Sequence, residues 1–263
     1  MEPKHIDGGL LIDQTPHACP YLPGEVAVLP ARWYSERIDP ARFDALLAKA
    51  DRRVGRSLYR PTCPDCDACE AIRVPVQRFE PSRSQRRAWS RNPDVVLRVA
   101  PPTVDSGRLA LFNAHKLERG LATQPTPPEH YLHWLVMSCV ETLEFSYWRG
   151  ETLLAVSVVD LGATSMSSVY HYFDPTESRR SLGVYSVLAE IEWMRERGLD
   201  FYYLRAGDYG ATRKLLVSKL QVGDLSAVSH GRHLPTHQVH AMAVAFSATT
   251  SQKCPFGIQA VAT

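Results

Sequence analysis

Residues 145–204 read FSYWRGETLLAVSVVDLGATSMSSVYHYFDPTESRRSLGVYSVLAEIEWMRERGLDFYYL. Three runs in it, Phe145–Arg149, Thr152–Leu161 and Met166–Phe173, are dense in β-branched and aromatic residues. Arg149-Gly150-Glu151 and Gly162-Ala163-Thr164 stand between them as hairpin turns, so three antiparallel strands are predicted. Val184, Val187, Leu188, Ile191 and Met194 then recur at helical spacing, and Gly198 supplies the stop. Phe201–Leu204 follows as a short buried strand.

Upstream, Asp105-Ser106 caps a helix carrying Leu109, Phe112 and Leu117 and ending at Gly120. Pro127-Pro128 opens a second one through Tyr131, Leu132, Leu135 and Val136. Two helices, three antiparallel strands, a helix and a strand is the order shown by acyltransferase domains of the GNAT type, so the expected class is α+β. Fold analogy of this kind carries no substrate information.

The whole chain has 263 residues, 30 Lys plus Arg against 28 Asp plus Glu, and six Cys. That length allows one large domain or two modest ones. No run approaches the ~20 apolar residues of a membrane span, and Met1–His5 leads into no signal-peptide core. A cytoplasmic protein is expected, and its cysteines then need an explanation other than disulfides.

Cys63, Cys66 and Cys69 form a C-x-x-C-x-x-C run, with Cys19 upstream, while Cys139 and Cys254 are isolated. Two-residue spacers let thiolates turn toward one centre, and Cys19 is the candidate fourth ligand; zinc and an iron–sulfur cluster both suit such a set. The first hundred residues otherwise read as short strands at Leu10–Asp13, Glu25–Leu29 and Ala71–Val76, the last at a sheet edge because of Pro75. Asp39-Pro40 starts a helix through Leu47. Pro101-Pro102 marks the boundary, giving a Cys/Arg-rich domain over 1–103, a catalytic domain over 104–228 and a His-rich extension over 229–263. In that extension His230, His233, His237 and His240 are separated by Pro235, which argues against one helix.

Between Arg73 and Arg91 stand six Arg against one acid, Glu80. The guanidinium fork suits phosphate and carboxylate, so this segment is read as anion-binding, for tRNA phosphate or an acidic substrate.

The chain resembles the aminoacyl-tRNA–protein transferases, which include eukaryotic arginyltransferases and bacterial aspartate/glutamate leucyltransferases. The matching strings are Cys19-Pro20-Tyr21-Leu22-Pro23-Gly24, Leu58-Tyr59-Arg60-Pro61 with the cysteine run, Arg73–Val76, and Pro81-Ser82-Arg83-Ser84-Gln85-Arg86-Arg87. In the second half, Val169–Pro175 and Arg180–Tyr185 also match. The resemblance implies a GNAT-like catalytic half fused to a cysteine-bearing half, with a [4Fe-4S] cluster or Zn(2+) on Cys19, Cys63, Cys66 and Cys69. It implies transfer of Leu or Arg from charged tRNA to an acceptor α-amine, typically an N-terminal Asp or Glu. The segment Arg205–Lys214 departs from the family string, which leaves the donated amino acid open and admits a small-molecule amine as acceptor.

Such a reaction is aminolysis of an already activated ester and needs no ATP site. It needs juxtaposed substrates, a proton acceptor and oxyanion stabilisation. Tyr172, Asp174 and His171 are the candidate proton acceptors. Backbone amides around Ser181 and Gly183 are candidates for holding a tRNA phosphate. Arg60, Arg73, Arg83, Arg86 and Arg87, with Ser84 beside them, are candidates for an acidic acceptor or for tRNA. Two rivals remain. One is an acetyl-CoA N-acetyltransferase, although Tyr185 is bulky where the pyrophosphate loop needs a small residue. The other is a metal-dependent RNA-binding module or redox sensor.

Overall fold

A computed structural model of the chain describes residues 3–19, 22–66, 69, 71–204, 226–229 and 232–234. The N-terminal part comprises β1 (His5–Ile6), β2 (Gly9–Asp13), β3 (His17–Ala18), β4 (Val26–Ala27), β5 (Ala31–Trp33), α1 (Pro40–Leu47), β6 (Arg52–Val54) and β7 (Ser57–Tyr59). Next come β8 (Ala71–Pro75), α2 (Arg83–Ser90), β9 (Val96–Ala100), α3 (Ser106–Glu118) and α4 (Pro128–Tyr131). The remainder is β10 (Glu141–Arg149), β11 (Thr152–Leu161), β12 (Ser165–Phe173), α5 (Leu182–Glu196), β13 (Phe201–Leu204), β14 (Ser226–Ser229) and β15 (Arg232–Leu234). The molecule is a mixed α+β protein.

The main sheet runs β15-β14-β8-β13-β12-β11-β10-β9, with β1-β2-β5-β7-β6 as a second sheet and β3-β4 as a small ribbon. Every pairing in the main sheet is antiparallel except β12 with β13. Its central strands are buried on both faces, which is why Thr152–Leu161 reads as a nearly continuous apolar run. On one face α5 packs Leu182, Leu188, Ile191 and Met194 against Phe145, Tyr147, Leu154 and Met166. Each such fully buried side chain contributes about 1.5–3 kcal/mol. On the other, Phe112 of α3 and Tyr131 of α4 cover Val156, Val158 and Tyr172.

The expected helices and strands of the second half are present. The Gly150 turn has φ 55°, a left-handed conformation that glycine adopts without strain. The second helix differs from a plain α-helix: after Tyr131 it widens into a π-turn over Leu132–Val136, closed by Met137 N–H donating to Leu132 O at 2.8 Å.

Several N-terminal expectations change. Val26–Ala27 alone pairs as strand within the predicted Glu25–Leu29. β8 is interior, lying between β13 and β14. Among the described residues β14 pairs only with Ala71, Ile72 and Arg73, so none of them requires the N–H that Pro75 lacks. β8 and β9 both precede residue 103, so the main sheet draws strands from both sides of the expected boundary. Within the His-rich extension, Arg232–Leu234 forms a strand that pairs with Ser226–Ser229 and lengthens the sheet. Arg205–Lys214, the four His of the extension apart from His233, and Cys254 lie outside the described residues. Among the described residues no helix is long and apolar enough to cross a membrane.

Candidate active site

The parallel pairing of β12 with β13 covers Ser165–Ser167; the half of the strand from Ser168 to Phe173 pairs with β11, and Phe173 N–H also donates to His115 Nδ1 at 3.2 Å. This half of β12 carries His171 and Tyr172 and leads through Asp174 to the start of α5. Their environments differ sharply.

His171 accepts or donates one hydrogen bond, Nδ1 to Ser157 Oγ at 2.8 Å. Its Nε2 is buried and has no hydrogen-bond partner among the described residues. Burial, with help from His115 and Arg119, lowers its pKa to about 3, so the imidazole is neutral at physiological pH. Tyr172 points to the other face. It is fully buried, its ring meets Phe112 edge-on at 5.3 Å, and its hydroxyl pairs with that of Tyr131 at 2.7 Å. Burial and Tyr131 push its phenol far up, so it neither ionises nor meets a substrate. The predicted proton-acceptor role of Tyr172 therefore does not suit its position. Asp174 is half-buried and accepts from Thr176 N at 2.9 Å and Thr176 Oγ1 at 2.6 Å, capping the short 3-10 turn Pro175–Arg180.

Ser181 caps α5 in a left-handed conformation, φ 56° and ψ 46°, without a side-chain capping bond. Its Oγ instead receives Arg91 at 3.3 Å. At Gly183 a Cβ would stand 3.9 Å from His171 Nε2, ordinary van der Waals contact, so His171 lies against the first turn of α5. Arg180 is neutralised by Asp94 at 2.7 Å and Glu177 at 2.9 Å, and Asn92 donates to Arg180 O at 2.9 Å. These bonds fasten the turn before α5 to the loop after α2.

The candidate arginines separate into three groups. Arg60 is bound to Asp7 at 3.1 Å and to Asp51, which Arg32 also grips, so it ties the second sheet together. Arg73 donates to Tyr203 Oη at 3.2 Å and stacks over the Phe201 ring at 4.0 Å. Arg83, Ser84, Arg86 and Arg87 are exposed on α2, a helix held by the Ser82–Gln85 capping box with Gln85 and Ala88 turned inward. Arg86 is held by Pro81 O and Ser84 Oγ lies 3.1 Å from Ser82 Oγ, whereas Arg83 and Arg87 form no ion pair among the described residues. Trp89 of the same helix stacks on Tyr185 of α5 at 5.3 Å, so α2 borders the start of α5. The structure thus sets His171 against Gly183 and α2 beside the start of α5, and leaves Arg60, Arg73 and Tyr172 with structural partners. Tyr185 is also packed edge-on against Tyr147, with ring centroids 5.9 Å apart.

Cys19, Cys63, Cys66 and Cys69 are half-buried free thiols. Burial raises the Cys69 pKa, and Cys63, Cys19 and Cys66 lie close enough to raise it further. Leu22 N–H donates to Cys19 Sγ at 3.4 Å and Val28 N–H to Cys63 Sγ at 3.5 Å. Amides aimed at sulfur suit a thiolate ligand set. Among the described residues no three metal-binding side chains converge tightly enough to hold an ion as they stand. Cys139 is buried beside Val140 and Leu58, a core residue as its sequence context suggests.

Ser157, Glu190, Tyr147 and Tyr202 escaped the sequence reading. The available signal is Glu190, an acid in the middle of the apolar stripe Leu188-Ala189-Glu190-Ile191.

Residues 17–87 match the family model for the N terminus of arginine-tRNA-protein transferase, and residues 108–206 match that for its C terminus. An aspartate/glutamate leucyltransferase of Acinetobacter baumannii is 36% identical over 192 residues, 72% of this chain and 71% of the relative. The chain belongs to the arginine-tRNA-protein transferase family. A second relative of the same description, from a Shewanella species, is 35% identical over 209 residues, 77% of this chain and 84% of its own length. Among solved structures, FemX superposes with TM-score 0.46 at 8% identity, covering 82% of this chain and 74% of FemX.

Proposed function

We propose that this family member moves leucine from charged tRNA to the α-amine of a protein that begins with Asp or Glu. As a member of this family the chain is an aminoacyltransferase. The finer assignment is supported by relatives at 35–36% identity described as aspartate/glutamate leucyltransferases. The observation that carries the chemistry is the approach of His171 on β12 to Gly183 in the first turn of α5. The aminoacyl ester would be held along this end of β12, as in a GNAT-like acyltransferase. The arginines of α2 then take the tRNA phosphates.

The four cysteines 19, 63, 66 and 69 are proposed to hold an iron–sulfur cluster or zinc. Bound in that loop, the group would brace the connection between the second sheet and β8. Iron, sulfide and zinc analysis of anaerobically purified protein tests this, with loss of the bound element expected in Cys66→Ser. The reaction is placed in the cytoplasm, where charged tRNA is found.

The test of function is a mass shift. Peptides starting with Asp, Glu or Ala are incubated with Leu-tRNA, and the acidic ones gain one leucyl residue. A peptide series left unchanged overturns the proposal.

A further inference from the structure

All of the chain's five tryptophans except Trp89 have a cation over the ring. Arg56 stands 5.7 Å from the Trp33 centroid, Lys116 5.6 Å from Trp134, Arg98 4.8 Å from Trp148 and Arg197 3.9 Å from Trp193. Trp89 has none among the described residues, although Arg83, Arg86 and Arg87 share its helix. It is also 44% exposed. One side of the indole rests on Tyr185, whose ring is tilted 41° to it. Tyr185 is in turn buried against Tyr147, so the indole is supported from below by the core. A single exposed aromatic needs no explanation, but one braced from below among exposed arginines suits a flat, anionic partner.

A cleft of about 590 Å³ opens where α2 ends, lined by Arg91, Pro93, Asp94, Glu177, Arg179 and Arg180. Its two acids are already matched. Asp94 holds Arg180 at 2.7 Å, while Glu177 holds Arg180 at 2.9 Å and Arg149 at 2.8 Å. Arg91 donates to uncharged oxygens, Arg179 O at 3.4 Å and Ser181 Oγ at 3.3 Å. Arg179 is exposed and forms no ion pair among the described residues. Two guanidinium charges therefore line the cleft without a counter-charge, and a phosphate supplies one with matching geometry. The cleft and the indole are neighbours. Arg91 bonds Ser181, and Trp89 stacks on Tyr185 one helical turn further along α5, where Tyr185 N–H donates to Ser181 O at 3.0 Å. Gly183, between those two positions, lies against His171.

We propose that Trp89 is a stacking platform for an unpaired base in the 3′ strand of the charged tRNA, with Arg91 and Arg179 holding a phosphate of that strand. This rests on the tRNA-dependent transfer assigned above. The 3′ end of tRNA is single-stranded, so its bases are free to stack on a protein ring, and a ring face accepts any base. A base on the outer face of Trp89 and a phosphate in the cleft lay the strand along the first turn of α5. Its esterified end is then directed toward the contact of Gly183 with His171.

The test is a binding measurement on the full-length protein with uncharged leucine tRNA, either intact or trimmed of its unpaired 3′ nucleotides, so that no transfer is needed for the readout. Wild-type protein binds the intact tRNA about tenfold more tightly than the trimmed one, within the range for one stacked base. Trp89→Leu, which keeps an apolar contact with Tyr185, loses that difference and binds the trimmed tRNA as wild type does. Trp89→Phe, which keeps a ring, retains most of it. Arg179→Gln weakens intact tRNA alone and lowers the slope of log affinity against log salt by about 0.7, the value for one phosphate of a single strand. Equal wild-type affinity for the two tRNAs overturns the proposal, as does a Trp89→Leu variant that weakens both alike. A wild-type dimer that dissociates in Trp89→Leu also overturns it, since the exposed ring then belongs to a contact between two copies of the chain. A protein that discriminates the two tRNAs yet transfers nothing overturns the assigned reaction and leaves the strand site standing, so the two failures are distinguishable.

Discussion

Arg53 on β6 donates through Nε to both carboxylate oxygens of Asp160 on β11, at 2.9 and 2.8 Å, and the two side chains are 0% and 1% exposed. Thr142 Oγ1 donates to the same carboxylate at 2.7 Å, and Arg53 also reaches Met137 O at 3.0 Å. Through this pair the second sheet is fastened to the centre of the main sheet, the strand that also carries Ser157. Removing one partner leaves a buried charge without compensation. Arg53→Met should therefore lower the unfolding free energy by about 3–5 kcal/mol in urea titration. A loss under about 1 kcal/mol would show that the two parts are held by other contacts.

The Tyr131–Tyr172 hydroxyl pair is sealed between α4 and β12. Tyr172→Phe should cost about 1 kcal/mol of stability, the net value of one neutral hydrogen bond. Its kcat should stay within about threefold of wild type, since the hydroxyl touches no substrate. A hundredfold fall in kcat with unchanged stability would return Tyr172 to the catalytic group.

The tertiary strands and α5 are legible from sequence because a sheet covered on both faces writes long apolar runs, and Gly150 and Gly198 punctuate them. Position within the sheet is less legible. Pro75 speaks of an edge, yet β8 has a strand on either side, and among the described residues β14 pairs only with Ala71–Arg73. Side-chain partners are not legible at all: Arg60 and Arg83 are the same letter, and only Asp7 and Asp51, 53 and 9 residues away from Arg60, distinguish a structural guanidinium from an exposed one. Ser157 and Glu190 are single polar letters in apolar runs, and the bonds of Ser157 to His171 and of Glu190 to Tyr147 exist only once strands and α5 pack.

His115 supplies a pH dependence. Burial, with Arg119 nearby, lowers its pKa from 6.5 to about 4. The unfolded chain binds this proton more readily than the folded one, so the stabilisation is present above about pH 6.5 and is lost as pH falls toward 4. Unfolding free energy measured across that window should decline, and His115→Phe should flatten the decline. An unchanged slope in the variant would assign the acid sensitivity to other groups.

Arg83 and Arg87 project from α2 without ion pairs among the described residues. Each substitution to Ala should weaken tRNA binding uniformly and reduce the slope of log affinity against log salt by about one. Arg60→Ala should act differently, lowering stability through Asp51 and leaving the salt slope in place. Equal slopes for all three variants would remove α2 as the phosphate-binding surface.

The central claim is donor and acceptor identity. It is tested most directly by offering Leu-tRNA and Arg-tRNA with different isotopic labels in one reaction, alongside a peptide beginning with Asp and an equimolar small amine. The account predicts that the leucine label enters the peptide and that the small amine stays unlabelled. Label found only on the small amine, or none leaving either tRNA, would contradict it.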